Sequence, residues 1–366
     1  MIRFTASRIL GICALLLLLG MPWSVVAGQA TPGSESSGVV DVLVNGLTNP
    51  RGFDWDTEGV LHLALAGAGG DVASSIVTVA DGCVSPVAEG LPSLYVSSLG
   101  WVWGVMDLAF IGDELFALSG AWNEPTGIYR VLDDGSLEIV ADLGAWFSAN
   151  PTSFIAPDYN PLGSLFDLET DGESFWVSEA VGGRIVTVAA DGGIELLADL
   201  SDGHQVPTGV VLDGDGGAYV AYLTSAPYPD GASKVVHVAA DGTVSDYWTG
   251  LTAVTDVAMG PDGALYAAEM ATGNTSEAPF LAPNSGRVVR MTGPDSLEPV
   301  LVDIDAPVHM GFDVEGALYV TLPAYVPDNG QGAGSLIRVD VSGSLPISLA
   351  GLGAEPTCAA DATPAA

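Results

Sequence analysis

Short apolar segments recur along this chain in a common pattern. In each of six segments an apolar run leads into an acidic or glycine-containing turn and returns as a strand in which apolar and polar residues alternate. Strict alternation of this kind is typical of β-strands that are buried on one face. The segments begin at Pro50, Gly104, Gly163, Pro207, Val254 and Pro307, at intervals of 54, 59, 44, 47 and 53 residues. A near-regular repeat of this length indicates a repeat architecture.

A second pair of strands follows in every repeat. Its first strand is an apolar run at residues 76–80, 128–132, 185–189, 235–239, 288–291 and 336–339. Asp-Gly turns follow several of these runs, and the dipeptide predicts type I′ hairpins, in which both central residues have positive φ. These turns are Asp81-Gly82, Asp134-Gly135, Asp191-Gly192 and Asp241-Gly242. Four antiparallel strands in each of six units predict an all-β fold, a six-bladed β-propeller.

A propeller ring must close, because an open ring leaves the edge of one sheet unpaired. The segment Val39–Leu47 resembles the last strand of the first unit, Cys83–Leu91. We therefore expect it to complete the sixth blade beside strands from residues 310–340. Leu345–Leu349 competes for the same place. The predicted propeller is a single domain over residues 39–350, followed by a C-terminal tail at 351–366.

The N-terminus has the features of a targeting segment. Arg3 and Arg8 precede an apolar run and a small-residue exit, which together predict a signal peptide over residues 1–30 and a flexible linker over 31–38. An uncleaved anchor is the alternative. We expect a secreted, periplasmic or cell-surface protein with no membrane segment in its mature form. Export would leave Cys83 and Cys358 as a candidate disulfide, against the alternative of two free thiols.

Charge narrows the classes of partner. The chain has 45 Asp and Glu against 9 Lys and Arg, a formal net charge of −36, although 48% of its residues are hydrophobic. Nucleic acid is excluded as a partner, because phosphate binding needs clustered basic residues. Many of the acidic residues are at hairpin tips, where their side chains stabilise the turn. Arg51 is one of the few basic residues, and we expect it to form a structural ion pair.

The stretch from Val206 to Glu269 is the most distinctive part of the chain. It begins a blade with PTG at 207–209 and continues with LTSAPYPDGA at 223–232. With the segments 46–52, 90–93 and Asn160-Pro161, it resembles the ScyD/ScyE family of exported propellers, which is related to NHL-repeat propellers. The resemblance covers about residues 41–345 and implies a secreted, six-bladed, NHL-like propeller. Most of that family has no established activity, and Leu65 and Tyr222 stand where it commonly has an acidic residue.

Candidate ligand-binding residues come from repeat positions expected to face the central channel. Glu179, Tyr222 and Glu269 end equivalent strands and could bind a divalent ion, or they could hydrogen-bond the backbone at strand ends. Asp256 begins a blade, and His309 lies before the first strand of the sixth blade. Distantly related lactonase propellers hold a metal with Glu, Asn and Asp. In this chain those residues would be Glu179 or Glu269, with Asp256 and Asn160.

Three functions fit these observations. The favoured one is a non-catalytic, monomeric binding or scaffold protein whose partner is an unidentified protein or small molecule. The enzyme alternative is a metal-dependent, lactonase-like hydrolase with its site over the channel. The third is a structural surface protein whose acidity maintains its solubility. No motif calls for a cofactor, although a divalent cation such as Ca²⁺ is compatible with the acids. Aromatic residues between strands either form a contact surface or cover the ends of blades two and three; they are Trp101, Trp103, Trp122, Trp146, Phe147, Phe154, Tyr159, Tyr228 and Tyr325.

Overall fold

The computed structural model describes residues 40–97, 100–122, 125–277, 280–324 and 330–351. All of these belong to the second of two compact units, Ser36–Ala366. The predicted signal peptide (1–30), the linker (31–38), Tyr325, Cys358 and nearly all of the C-terminal tail lie outside the described residues. Cys83 is disulfide-bonded, and its pairing with Cys358 stays a prediction.

The described chain is built almost entirely of strands. The first strands, through the first blade, are β1 (Val40–Leu47), β2 (Pro50–Trp55), β3 (Leu61–Leu65), β4 (Ser74–Ala80) and β5 (Cys83–Leu91). A hairpin and the second blade follow: β6 (Leu94–Val96), β7 (Trp101–Trp103), β8 (Val105–Ile111), β9 (Glu114–Ser119), β10 (Gly127–Val131), β11 (Leu137–Asp142) and the helix α1 (Leu143–Ala149).

The remaining strands form four further blades. The third and fourth blades contain β12 (Leu165–Thr170), β13 (Ser174–Glu179), β14 (Arg184–Ala189), β15 (Ile194–Asp199), β16 (Pro207–Leu212), β17 (Ala218–Tyr222), β18 (Ser233–Val238) and β19 (Val244–Leu251). The chain ends with β20 (Val254–Met259), β21 (Leu265–Glu269), β22 (Gly286–Gly293), β23 (Ser296–Ile304), β24 (His309–Phe312), β25 (Leu318–Leu322), β26 (Gly334–Val339) and β27 (Ile347–Ser348).

Apart from β6, β7 and β27, these strands form six four-stranded antiparallel sheets, one for each predicted repeat. Five blades are continuous in sequence: β2–β5, β8–β11, β12–β15, β16–β19 and β20–β23. In each, the first strand is innermost and pairs with the second, so the chain moves outward to the edge and then enters the next blade. Buried aliphatic and aromatic residues of adjacent blades pack between the sheets, for example Phe116 against Phe175. The predicted six-bladed propeller is confirmed.

The ring closes as the sequence predicts. The sixth sheet has the order β1-β26-β25-β24, so the N-terminal strand supplies its outer edge. Val44 and Leu47 of β1 are buried against the first blade and β26. The competing segment instead forms β27, which adds in parallel to the fifth blade through Leu301 and Ile347. One blade is therefore assembled from both ends of the described chain.

The turn prediction is correct at one hairpin and wrong at three. Asp81 and Gly82 both have positive φ, as type I′ requires. At the other three Asp-Gly pairs only the glycine does. The aspartate carboxylate there accepts a hydrogen bond from the backbone N–H two residues later, as Asp134 does from Ser136 at 3.0 Å. In these longer turns the backbone of the aspartate keeps a negative φ, and only the glycine adopts the left-handed conformation.

Two elements lie outside the blades. The β6–β7 hairpin connects the first two blades, and α1 follows the second blade with its N-terminus capped by Asp142. Phe147 of this helix is fully buried, Trp101 and Trp103 stack on one another, and Trp103 stacks on Trp122. Most of the aromatic residues in this region therefore cover blade ends, whereas Phe154 stays exposed. No helix in the described part is long and apolar enough to cross a membrane.

Candidate functional site in the central channel

The third residue of each of the first five inner strands (β2, β8, β12, β16 and β20) occupies an equivalent place around the propeller axis. In the sixth blade this place is taken by His309, which is the first residue of β24 rather than part of the loop before it. In most blades the register between the first two strands is irregular just before this residue. Such an irregularity re-aims a side chain relative to a regular ladder. The six residues, in blade order, are Gly52, Asp107, Asp167, Gly209, Asp256 and His309.

The two glycines make room for their acidic neighbours. A Cβ atom at Gly52 would lie 1.6 Å from Oδ1 of Asp107, and one at Gly209 would lie 2.3 Å from Oδ1 of Asp256. Both distances are far below any non-bonded contact. Each aspartate therefore leans into the space that the preceding blade leaves open.

The three aspartates also connect adjacent blades. Oδ2 of Asp107 accepts a hydrogen bond from the N–H of Leu168 at 2.8 Å, and Oδ2 of Asp167 accepts one from Val210 at 2.6 Å. Oδ2 of Asp256 accepts one from Met310 at 2.7 Å. Each donor belongs to the next blade along the chain. These bonds hold the carboxylates in fixed orientations while lone pairs on their oxygens stay available toward the axis.

His309 completes a group of candidate ligand atoms. Its Nδ1 lies 3.1 Å from Oδ2 of Asp256 and 3.8 Å from Oδ1 of Asp167. Asp107, Asp167 and His309 each offer one donor atom, and these atoms all lie within 4.8 Å of one another. They come from the second, third and sixth blades, so they can meet only near the axis.

The cluster borders a chamber of about 250 Å³ in the channel. Asp54 and Glu169 line it together with Asp107, Asp256 and His309, and the rest of the lining is largely apolar. Among the described residues no Lys or Arg lines this chamber. The chamber thus gathers several carboxyl groups without a Lys or Arg side chain among the described residues to balance them.

Burial shifts the proton affinity of these groups. It raises the pKa of Asp107 and Asp256 well above the ordinary value, and the nearby charge of Asp167 raises both further. Burial also raises the pKa of Glu169, with smaller contributions from Asp167 and Asp54. Burial lowers the pKa of His309. Both directions have one cause: a poorly solvated chamber disfavours the charged form of every group in it.

Glu179 and Glu269 lie away from this cluster and are already engaged. Glu179 is fully buried, with Oε2 3.0 Å from Nε of Arg184 and Oε1 accepting hydrogen bonds from the N–H groups of Ser164 and Gly182. Glu269 is also fully buried, where it pairs with Arg287 and accepts a hydrogen bond from a backbone N–H at 2.5 Å. Their geometry fits the alternative stated from the sequence, in which strand-end carboxylates bind backbone groups.

The other predicted positions have separate roles. Tyr222 is buried beneath Lys234, whose ammonium lies 5.7 Å from the ring centre. Asn160 is used in its own turn, where it contacts Leu162 and Gly163. The Glu-Asn-Asp arrangement is therefore not assembled. Arg51 was expected in an ion pair, but within the described ranges it contacts only backbone carbonyls and the face of a tryptophan ring, and burial lowers its pKa to about 10.

Of the predicted residues, the structure brings Asp256 and His309 together at the axis. Sequence reasoning missed Asp107, Asp167, Glu169 and Asp54. The first two occupy the same repeat position as Asp256, so an alignment of the six inner strands by their third residue would have found them.

The fold resembles several solved propellers at low sequence identity. An assigned oxidoreductase (glucose dehydrogenase) of Thermus thermophilus is 15% identical over 82% of this chain and 99% of its own, with a TM-score of 0.58. The calcium-binding protein regucalcin of Agrobacterium tumefaciens is 15% identical over 86% and 97%, with a TM-score of 0.54. A gluconolactonase of Xanthomonas campestris is 12% identical over 83% and 90%, also with a TM-score of 0.54.

These similarities establish the fold and nothing finer. The sequence matches no protein-family model and none of the curated proteins. The resemblance to the ScyD/ScyE family therefore stays a prediction. Function has to be argued from the residues of the channel themselves.

Proposed function

We propose that this chain is a binding propeller that holds a divalent cation at its axis through Asp107, Asp167 and His309. The observation that carries this proposal is the convergence of three donor atoms from different blades within 4.8 Å, beside a chamber that no Lys or Arg among the described residues lines. Buried carboxylates are costly unless a countercharge balances them. A bound cation would supply that countercharge.

The donor set bears on the choice of cation. Two carboxylates and one imidazole suit Zn²⁺ or Mn²⁺, whereas Ca²⁺ favours oxygen ligands alone. Asp256 would help to orient the ring of His309, since its Oδ2 lies 3.1 Å from Nδ1. The chamber beyond the cluster would then accept an oxygen-bearing group of a ligand.

Thermal unfolding tests cation binding directly. The full chain is melted in EDTA and then with Ca²⁺, Mg²⁺, Mn²⁺ or Zn²⁺ at constant ionic strength. A cation that binds only the folded chain raises the free energy of unfolding by about 2.7 kcal/mol at a hundredfold excess over its dissociation constant. Asp167→Asn and His309→Gln should each remove the rise. Asp202→Asn removes one charge at an exposed site and should retain it.

The second candidate is a metal-assisted, lactonase-like hydrolase. It is favoured by the chamber beside the cluster and by Glu169, a chamber residue that can hold a proton because burial raises its pKa. A bound cation would polarise a carbonyl oxygen. Lactone hydrolysis by the cation-loaded chain, followed with a pH indicator, separates the two functions. Turnover that Glu169→Gln abolishes, with cation binding intact, favours the hydrolase; binding without turnover favours the non-catalytic role.

We also propose export, ScyD/ScyE membership and a monomeric state. The Arg-flanked apolar N-terminus supports export, and so does the disulfide at Cys83, since disulfides persist mainly in oxidising compartments. Mass spectrometry of the protein from the culture medium would detect cleavage near residue 30. Intact cytoplasmic protein with Arg3 and Arg8 retained would contradict export. Sedimentation velocity tests the monomeric state, and a sedimentation coefficient that corresponds to a dimer would contradict it.

A further inference from the structure

Two tyrosines are in contact on one face of the fourth blade, outside the lining of the axial chamber. Tyr219 belongs to β17 and Tyr247 to β19, and β18 lies between these strands. Their ring centres are 4.4 Å apart, and the ring planes are inclined at 48°. Rings this close are in van der Waals contact, with carbon atoms about 3.5–4 Å apart. Among tyrosine pairs in which both residues are described, only this pair has its rings in contact.

A bulge in β19 brings Tyr247 to this contact. The ladder between β18 and β19 passes from Asp246 to Trp248 with a register shift, so Tyr247 has no partner in the ladder. A bulge of this kind re-aims the side chain of the extra residue. The ring of Tyr247 thereby reaches across β18 to Tyr219, which is two strands away in the sheet.

His237 of β18 helps to fix the ring of Tyr219. The two residues are opposite each other in the ladder, and their ring centres are 5.1 Å apart. Nε2 of His237 lies 2.7 Å from Oδ2 of Asp213, so a carboxylate holds the imidazole in place. The ring of Tyr219 therefore contacts two rings, one positioned by a bulge and the other by an acidic side chain.

The pair is accessible from solvent. Tyr247 is 37% exposed, whereas Tyr219 is half-buried. Burial and the neighbouring phenol of Tyr247 raise the pKa of Tyr219 to about 12, so this phenol keeps its proton at neutral pH. An oxidant can therefore reach Tyr247 directly, and Tyr219 is in contact with any radical that forms there.

We propose that Tyr219 and Tyr247 form a site of oxidative cross-linking, at which the two phenols couple to an intramolecular dityrosine. A haem peroxidase takes one electron from each phenol, and each phenol releases its hydroxyl proton. The two phenoxyl radicals join through a carbon ortho to each oxygen, and the hydrogen on each of these carbons moves to the oxygen of its own ring. Hydrogen peroxide accepts the two electrons and the two protons and becomes two molecules of water.

The cross-link would fasten the outer edge of the fourth blade. In the described part of the chain β19 is the outermost strand of its sheet, and its first four residues are all exposed. An uncovered edge strand can pair with another chain. A bond from β19 to β17 would close the loop between residues 219 and 247 and hold this edge against the blade. Neither tyrosine lines the axial chamber, so the site does not depend on the proposed cation.

Peroxidase with limiting hydrogen peroxide tests the coupling on the dilute full chain in EDTA. We expect the blue fluorescence of dityrosine in the monomer band of a denaturing gel, with a yield per chain that does not change with protein concentration. Trypsin cuts after Lys234, the only basic residue between the two tyrosines. Mass spectrometry should then find the two tyrosine peptides joined, lighter by two hydrogen atoms than their sum. Closing a loop of this length should raise the melting temperature by roughly 5 °C.

Phenylalanine at either position keeps the ring but cannot form a phenoxyl radical. Tyr219→Phe and Tyr247→Phe should therefore each abolish the joined peptides. Tyr266→Phe is the matched control and should retain them, because Tyr266 is the second residue of β21, as Tyr219 is of β17, but contacts Phe312 instead of a tyrosine.

Three results would overturn the proposal. The first is an absence of dityrosine in unmodified protein under conditions in which N-acetyltyrosine couples in a parallel reaction. The second is cross-linking only between chains, with dityrosine confined to dimers. The third is a joined peptide pair that persists in Tyr219→Phe. An unchanged melting temperature after cross-linking would contradict the fastening of β19.

Discussion

Replacing Glu179 with Gln separates a structural carboxylate from a cation ligand. In the folded protein Oε1 of Glu179 accepts two backbone N–H bonds and Oε2 faces Nε of Arg184 at 3.0 Å. Gln can retain the two backbone bonds through its carbonyl oxygen. Its amide NH₂ would then face the Arg184 N–H, so that two donors oppose each other and the guanidinium loses its countercharge.

The burial of both partners sets the size of the effect. Glu179 and Arg184 side chains are 0% and 1% exposed, so water cannot replace the missing charge. Within the described part of the chain Arg184 then keeps only neutral acceptors, chiefly the carbonyl of Asn150 at 2.7 Å. Breaking a buried pair from one side costs about 3–5 kcal/mol. For a domain of this size we expect the melting temperature to fall by roughly 5–15 °C.

The equivalent pair in the fifth blade provides the comparison. Glu269 is fully buried, but the side chain of Arg287 is 26% exposed, so solvent can compensate part of the lost charge. Glu269→Gln should therefore destabilise the protein less than Glu179→Gln. The double change Glu179→Leu with Arg184→Met should recover much of the loss, because an apolar pair leaves no buried charge behind.

Calorimetry in EDTA and in saturating cation measures both roles at once. If Glu179 has only a structural role, Glu179→Gln lowers the melting temperature equally in the two conditions. The rise in melting temperature that the cation causes is then unchanged. An unchanged melting temperature in EDTA, together with loss of the cation-induced rise, would refute this reasoning and make Glu179 a ligand.

Three further predictions concern the axis and the ring closure. Because burial raises the pKa of Asp107 above its ordinary value of 3.8, the unfolded chain loses this proton first. In EDTA the free energy of unfolding of wild type relative to Asp107→Asn should therefore fall as the pH rises above about 4, measured by urea denaturation; a difference that does not change with pH would contradict it. Gly52→Ala should cost about 1–3 kcal/mol by overpacking Asp107, whereas Gly193→Ala, at an exposed position, should change stability by about 0.5 kcal/mol or less. Val44→Ala in the closing strand should cost about 2 kcal/mol in one cooperative transition; two separate transitions would show that β1 is not integral to the ring.

Local patterns predicted most of the fold because a propeller is made of short-range pairings. The alternation of apolar residues and the acidic-glycine turns lie within single blades, and the predicted starts fall within two residues of the inner strands, as Gly163 does before Leu165. Closure was predictable because residues 39–47 have the pattern of an outer strand. The turn type was not, because the Asp-Gly dipeptide leaves the φ of its aspartate undetermined until the loop length is known.

The site was predictable only in part, for two physical reasons. The register irregularity before the third residue of the inner strands decides which side chains reach the axis, and it leaves no mark in the alternation pattern. The counterions of the buried acids also cannot be identified from the sequence. Arg184 and Arg287 lie 5 and 18 residues beyond their carboxylates, and only the β-pairing brings each one opposite its partner.

The inner-strand aspartates connect the stability of the ring to its candidate cation site. The N–H groups that hold Asp107, Asp167 and Asp256 come from the following blade, so the distances between donor atoms at the axis depend on how adjacent blades pack. A cation held there would join the second, third and sixth blades, which are not all neighbours in the ring. Its binding energy would therefore act on separation of the blades rather than on unfolding of any one of them. Cation binding should slow amide exchange in all three blades together, although its ligands occupy single positions in each.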